Sequence, residues 1–551
     1  MKKLFTYISI IVLIFIQQTI FSQVSPVFLE SHSRNLDKQA NNADSVTFSA
    51  IRTKYCFQKD KQALVNFIFY KSKDTTKHRF LILSLDPIYE LFGGLNVSEM
   101  KNLDSKTNIP YFANFGFSSN LNYSDKVSIG LSLRYGLFNL PDYLQSSNSI
   151  SHLTDHYYID GTLIPYNVNN SILNSFGFFN KKNDYLNTVL KGSYHITYQP
   201  YTFLKLELAR GENFIGDGYR SLMLSENSLT YPHFKIETEF LFLKYSCIWT
   251  KISTTTQDID WQVNHNKYSV FHYLDVAIGK KVNLGFFESV VSKDLNLDYF
   301  IPVIFFRPVE FSMGGDDNAI IGVNLKYNFY KNYALYSQFV IDDMVVGQFF
   351  NDIKHKLNKN YSGQWGWFAN KWAFQFGFKS FDLFKIKNLD FFTEINIVRP
   401  YMYSHSSVAE NYTNYGQALA HPLGANFVEW IGGAKYQISN FGFNIKSMYA
   451  VTGLDENNSQ HFGQNILKPT IDANQGHNIA VSSYDNYLLQ GLKTTIICNQ
   501  FEFSYLIKKN RNLAITLNFL NRITKNSNEK TSQNYIMLGF RSNISKFEIL
   551  Y

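Results

Sequence analysis

KVSIGLSLRYG (Lys126–Gly136) decides the fold. Val127, Ile129, Leu131, Leu133 and Tyr135 fall on one side of an extended chain, and Ser128, Gly130, Ser132 and Arg134 on the other. Period two marks a strand with one apolar and one polar face. The alternation returns in NAIIGVNLKYNF (Asn318–Phe329), YALYSQFVID (Tyr333–Asp342), LDFFTEINIV (Leu389–Val398) and LAITLNFLNR (Leu513–Arg522). Each run is about ten residues long and rich in aromatic and β-branched side chains. That is the length of a tilted strand crossing a bilayer, apolar toward lipid and polar toward a lumen.

The connections follow a second rule. Short links fall at 124–126, 199–200, near Leu241, and at 279–281, 330–332, 385–388, 438–440 and 508–511. Long polar links fall at 93–110, 138–186, 210–233, 252–267, 292–317, 343–369, 399–425, 451–485 and 523–533. The two kinds alternate, as periplasmic turns and outer loops do in membrane barrels. About eight short and nine long links imply about eighteen strands, with both termini in the periplasm. The expectation is an all-β, transmembrane, antiparallel outer-membrane barrel over 78–551, with long extracellular loops partly plugging the lumen.

Composition agrees. Aromatic and charged residues each make up 17% of 551 residues, and only 12 are proline. That is rich in rings and poor in charge for a soluble domain. No stretch reaches about 18 consecutive apolar residues, so helical spans are excluded. The net charge of +8 is scattered rather than gathered in a stripe, which argues against nucleic acid. Cys56, Cys247 and Cys498 are odd in number and lack CxxC spacing, so neither a disulfide framework nor a zinc site is expected.

The N-terminus carries Lys2, Lys3, the apolar run Leu4–Ile16 and a small residue, Ser22, before Gln23. That reads as a secretory signal peptide over 1–22. Residues 23–77 read as a short periplasmic segment. The chain ends on an aromatic residue, Tyr551, like the signal taken by the outer-membrane barrel assembly machinery. The expected location is the outer membrane of a Gram-negative cell.

One outer loop stands out. ENFIGDGYRSLMLSENSLTYPHFKIE (Glu212–Glu237) holds Gly216, Asp217, Gly218 and Arg220 between apolar runs. Consecutive N–H groups around such glycines can form a nest for an anion. A nucleotide is excluded: no strand-to-helix context and no Lys-Ser/Thr pair follow. The glycines then serve to fold the loop into the barrel mouth.

This stretch resembles the signature of the Wzi-like capsule-assembly proteins, in the Bacteroidetes branch that includes the gliding-motility protein RemB. The resemblance continues in GGDDNAIIGVNLKY (314–327), LYSQFVIDDM (335–344), EINIVRPYMYSH (394–405) and YGQALAHPLGANFVEW (415–430). It covers roughly residues 80–551 in order. It implies a barrel of about eighteen strands and a non-enzymatic role in holding or organising surface polysaccharide or supporting gliding. Surface polysaccharide and gliding or secretion machinery are the implied partners, beside outer-membrane lipid.

Sugar recognition needs aromatic platforms together with amides, carboxylates and cations. The outer loops offer Tyr219, Arg220 and Asn227, then Arg399, Tyr401, Tyr403, His405, His421, Asn426, Glu429 and Trp430. Rings near the outer strand ends also serve as an interfacial girdle. Asp316 and Asp317 enter one strand where Asp342 and Asp343 leave its partner, an oxygen-only set suited to calcium. The alternative is pairing of these carboxylates with Arg220 or Arg307. No GxSxG or HExxH occurs, and His405 and His421 lack a nucleophile at recognisable spacing, so no catalysis and no cofactor are expected. A porin or specific uptake channel is the alternative function.

Overall fold

The structure is a computed structural model. It describes residues 38, 48, 50–51, 65–71, 80–97, 110–139, 156–165, 178–254, 265–301, 317–470 and 481–542, apart from 125, 160–161, 184–185, 359, 416, 457–459 and 509–512. The signal-peptide reading over 1–22, the C-terminal Tyr551 and Asp316 lie outside these residues.

Twenty strands share one sheet. Two are short additions: Val65–Lys71, paired with Phe80–Leu85, and Phe178–Asn183, paired with the outer end of Leu186–Tyr201. The other eighteen close a ring. Phe80–Asn96 pairs with Tyr111–Tyr123 on one side and with the last strand, Lys530–Ser542, on the other. Every pairing in the ring is antiparallel, between strands that follow one another in the chain and, at the seam, between the first and the last, so the ring itself leaves no open backbone edge.

Alternation sets the two faces. In Tyr333–Asp343, Leu335, Phe339 and Ile341 point outward, while Ala334, Tyr336, Gln338 and Val340 are buried inward. Along Leu513–Lys525 the outward set is Leu513, Ile515, Leu517 and Phe519. Phe115, Phe117, Ile129, Leu131 and Leu133 continue an exposed apolar belt, the face a membrane barrel turns to lipid.

The links depart from expectation in three places. The turn expected at 199–200 lies at 202–203, and that expected at 385–388 spans 381–388. The last outer link is a tight turn over 526–529 rather than a long loop over 523–533. Asn521 and Asn534 are polar yet sit in the ladder, joined by a 2.9 Å side-chain hydrogen bond. The strands rise beyond the apolar belt there, so the alternation that reveals them is lost.

Of residues 23–77, the structure describes 38, 48, 50–51 and 65–71. Ala50 and Ile51 are buried inside the barrel, and Ile51 bridges to Ile215. Lys38 pairs with Asp382 at a short turn.

Candidate functional site

After Leu204–Gly211 the chain enters the lumen rather than projecting outward. The Ile215 N–H donates to Leu224 O (2.9 Å), closing the loop on itself, and the Gly216 N–H donates to Ala50 O (2.8 Å). Two glycines allow the backbone to lie against the wall. A Cβ on Gly216 (φ +149) would stand 2.5 Å from Gln338 Nε2, and one on Gly218 would stand 2.5 Å from Glu394 Oε2. The approach aligns two N–H groups on one carboxylate. Tyr219 N–H donates to Glu394 Oε2 (2.8 Å) and Arg220 N–H to Glu394 Oε1 (3.2 Å). The GDGYR turn does cradle a carboxyl group, that of the protein's own Glu394.

The remaining oxygens and donors interlock. Tyr336 Oη donates to Glu394 Oε2 (3.0 Å), and Asn396 Nδ2 bridges Glu394 Oε1 (2.8 Å) and Glu429 Oε2 (2.9 Å). Glu429 Oε2 also lies 2.8 Å from His421 Nε2, and its Oε1 lies 3.8 Å from Arg220 Nε. Tyr219 stacks on Phe392 at 4.7 Å, with Arg220 and Lys446 against its ring. Asp217 accepts from Asn324 Nδ2 (2.8 Å). A buried polar network with its members paired fixes one arrangement more firmly than it adds stability.

A second loop, 399–426, locks over the first. Tyr403 Oη donates to Leu222 O (2.7 Å) and Tyr412 Oη to Met223 O (2.8 Å). Ser225 N–H donates to Leu419 O (2.7 Å), and Asn227 Nδ2 to Ala420 O (2.8 Å). Between them Leu222, Met223 and Leu224 are fully buried with Met402, Leu419 and Leu423. Each such side chain contributes about 1.5–3 kcal/mol by leaving water. The two loops form a plug with its own apolar centre.

Most of the residues expected to meet sugar lie within this plug or against it. Arg399 pairs with Asp352 (2.7 Å) and also reaches Asn486 O. Tyr401 is buried, donating to His461 O (3.0 Å). Asn426 Nδ2 reaches the carbonyls of Gly453, Phe462 and Gln490, and its Oδ1 accepts from Leu489 N–H. Arg220 faces Glu429 rather than the acidic rim. Trp430 lies on the outer face, 45% exposed, and donates to Thr393 Oγ1 (2.9 Å), a lipid-side position rather than a platform at the mouth. His405 and Asn227 are half-buried, His405 beside Glu410 (3.1 Å).

The carboxylates do not converge. Asp342 accepts from Tyr403 N–H (2.7 Å) and lies 3.7 Å from Lys371, while Asp317 accepts from Tyr299 Oη (2.7 Å). Among the described residues no group of three or more His, Cys, Asp or Glu side chains could hold a metal. Of the four carboxylates expected to hold calcium, Asp317, Asp342 and Asp343 face separate partners or opposite sides of the ladder, and Asp316 lies outside the described residues.

Sequence reasoning missed Glu394, Asn396, Gln338 and Asp352. The first three are inward polar positions of alternating strands, legible as lumen-facing but not as plug partners.

No protein-family profile matches the chain, and no curated protein matches it. Among solved structures, it is similar to Wzi, an outer membrane protein involved in group 1 capsule assembly in Escherichia coli and a carbohydrate-binding β-barrel. Identity is 11%, with 83% of this chain and 85% of that one covered and a TM-score of 0.47. It is also similar to Pseudomonas aeruginosa OprD, at 8% identity over 83% and 94% of the two chains with a TM-score of 0.40. Acinetobacter baumannii OccAB4 follows at 10% identity, 85% and 99% coverage and a TM-score of 0.41.

Proposed function

We propose that this chain is a non-conducting outer-membrane barrel that binds or organises surface polysaccharide at its outer mouth. The role is assembly or retention of a surface coat, or support of gliding over it. One observation carries the reading: loops 212–230 and 399–426 fold into the lumen and are held there by hydrogen bonds to each other and to wall residues Glu394 and Gln338. A lumen so filled favours action at the surface over flux. Above the plug, Tyr361, Trp365 and Trp367 are half-buried and Tyr487 is 57% exposed, a supply of ring faces for sugars. His405 and Asn227 add polar groups nearby in the plug loops. Binding, with no covalent step, is the chemistry these groups suit.

The test is equilibrium binding of the cell's own purified surface polysaccharide to the detergent-solubilised protein. It is paired with a gene deletion scored for coat retention and surface spreading. Saturable binding and loss of either phenotype support the reading. No binding, with both phenotypes intact, refutes it.

A substrate-selective channel is the second reading. It draws on the polar inner wall beside the closing seam, where Glu90, Asn114, Asn120 and Asn122 are buried inward. Conductance separates the two readings.

A further inference from the structure

The outer link between Tyr333–Asp343 and Lys371–Ser380 carries the helix Val346–Leu357. Its polar side faces the protein. Asp352 accepts from Arg399 Nη1 (2.7 Å), Gly366 N–H (2.6 Å) and Asn370 Nδ2 (3.2 Å). His355 stacks on Trp365 with centroids 3.7 Å apart and planes 6° apart.

The other side is apolar and uncovered. At about 100° per residue, Val346, Phe349, Phe350, Ile353 and Leu357 form one stripe, with Asp352 and His355 away from it. No residue of the helix is buried, and Leu357 is 82%, Val346 59% and Phe350 54% exposed. A helix facing water would turn this stripe toward the core. Lys354 and Lys356 flank the stripe, one at each edge, and neither ammonium makes an ion pair with a described residue.

The stripe follows closely in sequence on a strand of the membrane belt. The helix starts three positions after Asp343, through the exposed Val345. The last outward side chains below it are Ile341, Phe339 and Trp372, the latter two rings 6.4 Å apart.

We propose that this helix is an interfacial clamp on the outer leaflet, its stripe entering the acyl boundary and Lys354 and Lys356 meeting the phosphates of an anionic, acylated lipid. Apolar insertion and long basic stems reaching up to headgroups are the two contributions that hold an in-plane helix. The docked polar side fixes the helix to the plug through Asp352 and Arg399, so lipid contact at the rim is mechanically joined to the mouth.

The test uses the full chain with Cys56, Cys247 and Cys498 replaced by alanine. Nitroxides are placed at Phe350→Cys and Leu357→Cys. Leu517→Cys in the belt and Ser362→Cys in an exposed loop give the lipid and water references. Vesicles of phosphatidylcholine with or without phosphorylated lipid A are compared. The expected oxygen-to-nickel accessibility ratio at 350 and 357 approaches that at 517 when lipid A is present. Reversal by Lys354→Glu and Lys356→Glu lowers the inserted population about fivefold per lysine, leaving 517 unchanged. A ratio equal to that at 362 in both vesicle types overturns the proposal, as does insertion indifferent to phosphate and to lysine reversal. Shielding from both probes in native membranes with water-like values in vesicles assigns the stripe to a protein partner and also overturns it. Hydrogen exchange over 346–357 in the unsubstituted protein, slower with lipid A than without, gives the same reading free of any folding defect.

Discussion

Replacing Glu394 with alanine should release the inner end of the plug while leaving the barrel closed. In the native protein its carboxylate takes the N–H groups of Tyr219 and Arg220 at 2.8 and 3.2 Å. Removing the acceptor leaves each buried N–H unsatisfied at about 1–3 kcal/mol, so losing both bonds costs the turn about 2–6 kcal/mol. That corresponds to a rise of about 30-fold to 10⁴-fold in the local opening equilibrium. The rest of the loop stays held by Gln338, which accepts from Leu222 N–H (2.8 Å), and by Tyr403 and Tyr412. Opening is therefore confined to the turn. Amide exchange of the segment around 219–220, followed by mass spectrometry in detergent, reads it directly. Exchange should accelerate there by a factor in that range, with the strands unchanged. Glu394→Gln keeps one carbonyl acceptor but turns its amide donors into a donor-rich site, so its acceleration is smaller. Native-like protection at Tyr219 and Arg220 in the alanine variant would refute the carboxyl-nest account.

Three further outcomes follow from the same geometry. Asn426→Ala removes one acceptor and the donor to three carbonyls, and should cost about 3–4 kcal/mol, seen as a lower melting temperature and faster proteolysis between 455 and 491. Burial pushes the His461 imidazole down to about 3, with Lys468 acting in the same direction. A lowered folded-state value means the unfolded chain binds the proton first, so stability is full above about 6.5 and falls as pH drops toward 3. From pH 7 to 5 the loss is about 2 kcal/mol, and His461→Gln should remove that slope in thermal melts. Millimolar calcium, or its chelation, should leave melting unchanged, because Asp342 and Asp317 are already engaged by Tyr403 N–H and Tyr299 Oη; a clear calcium-dependent rise would contradict those assignments.

The barrel was legible because lipid enforces its pattern. Where strands meet the belt, as in Lys126–Gly136, every second side chain is apolar and nothing else explains it. Above the belt the pattern stops, which is why the ladder through Asn521 and Asn534 reads as loop. The site was half legible. Gly216 and Gly218 signalled a loop folding into the barrel mouth, and the loop does fold in, its turn N–H groups meeting a carboxyl. The carboxyl's identity was hidden, since Glu394 lies 175 residues beyond Tyr219 and looks like any inward polar residue of a barrel strand. Tyr401, Tyr403 and Asn426 have the chemistry of sugar contacts, yet inward folding of their loop uses that chemistry for hydrogen bonds to backbone. Loop length reports which side a link lies on, not whether it projects outward or folds back. Trp430 shows the reverse limit: its strand parity, not its ring, decides that it faces outward.

The central claim, a barrel closed by its own loops and acting at its surface, is tested most directly by planar-bilayer conductance of the purified native protein. The account predicts no stable large conductance, with at most rare brief openings. A steady, ohmic, large conductance would contradict it and establish the channel reading in its place.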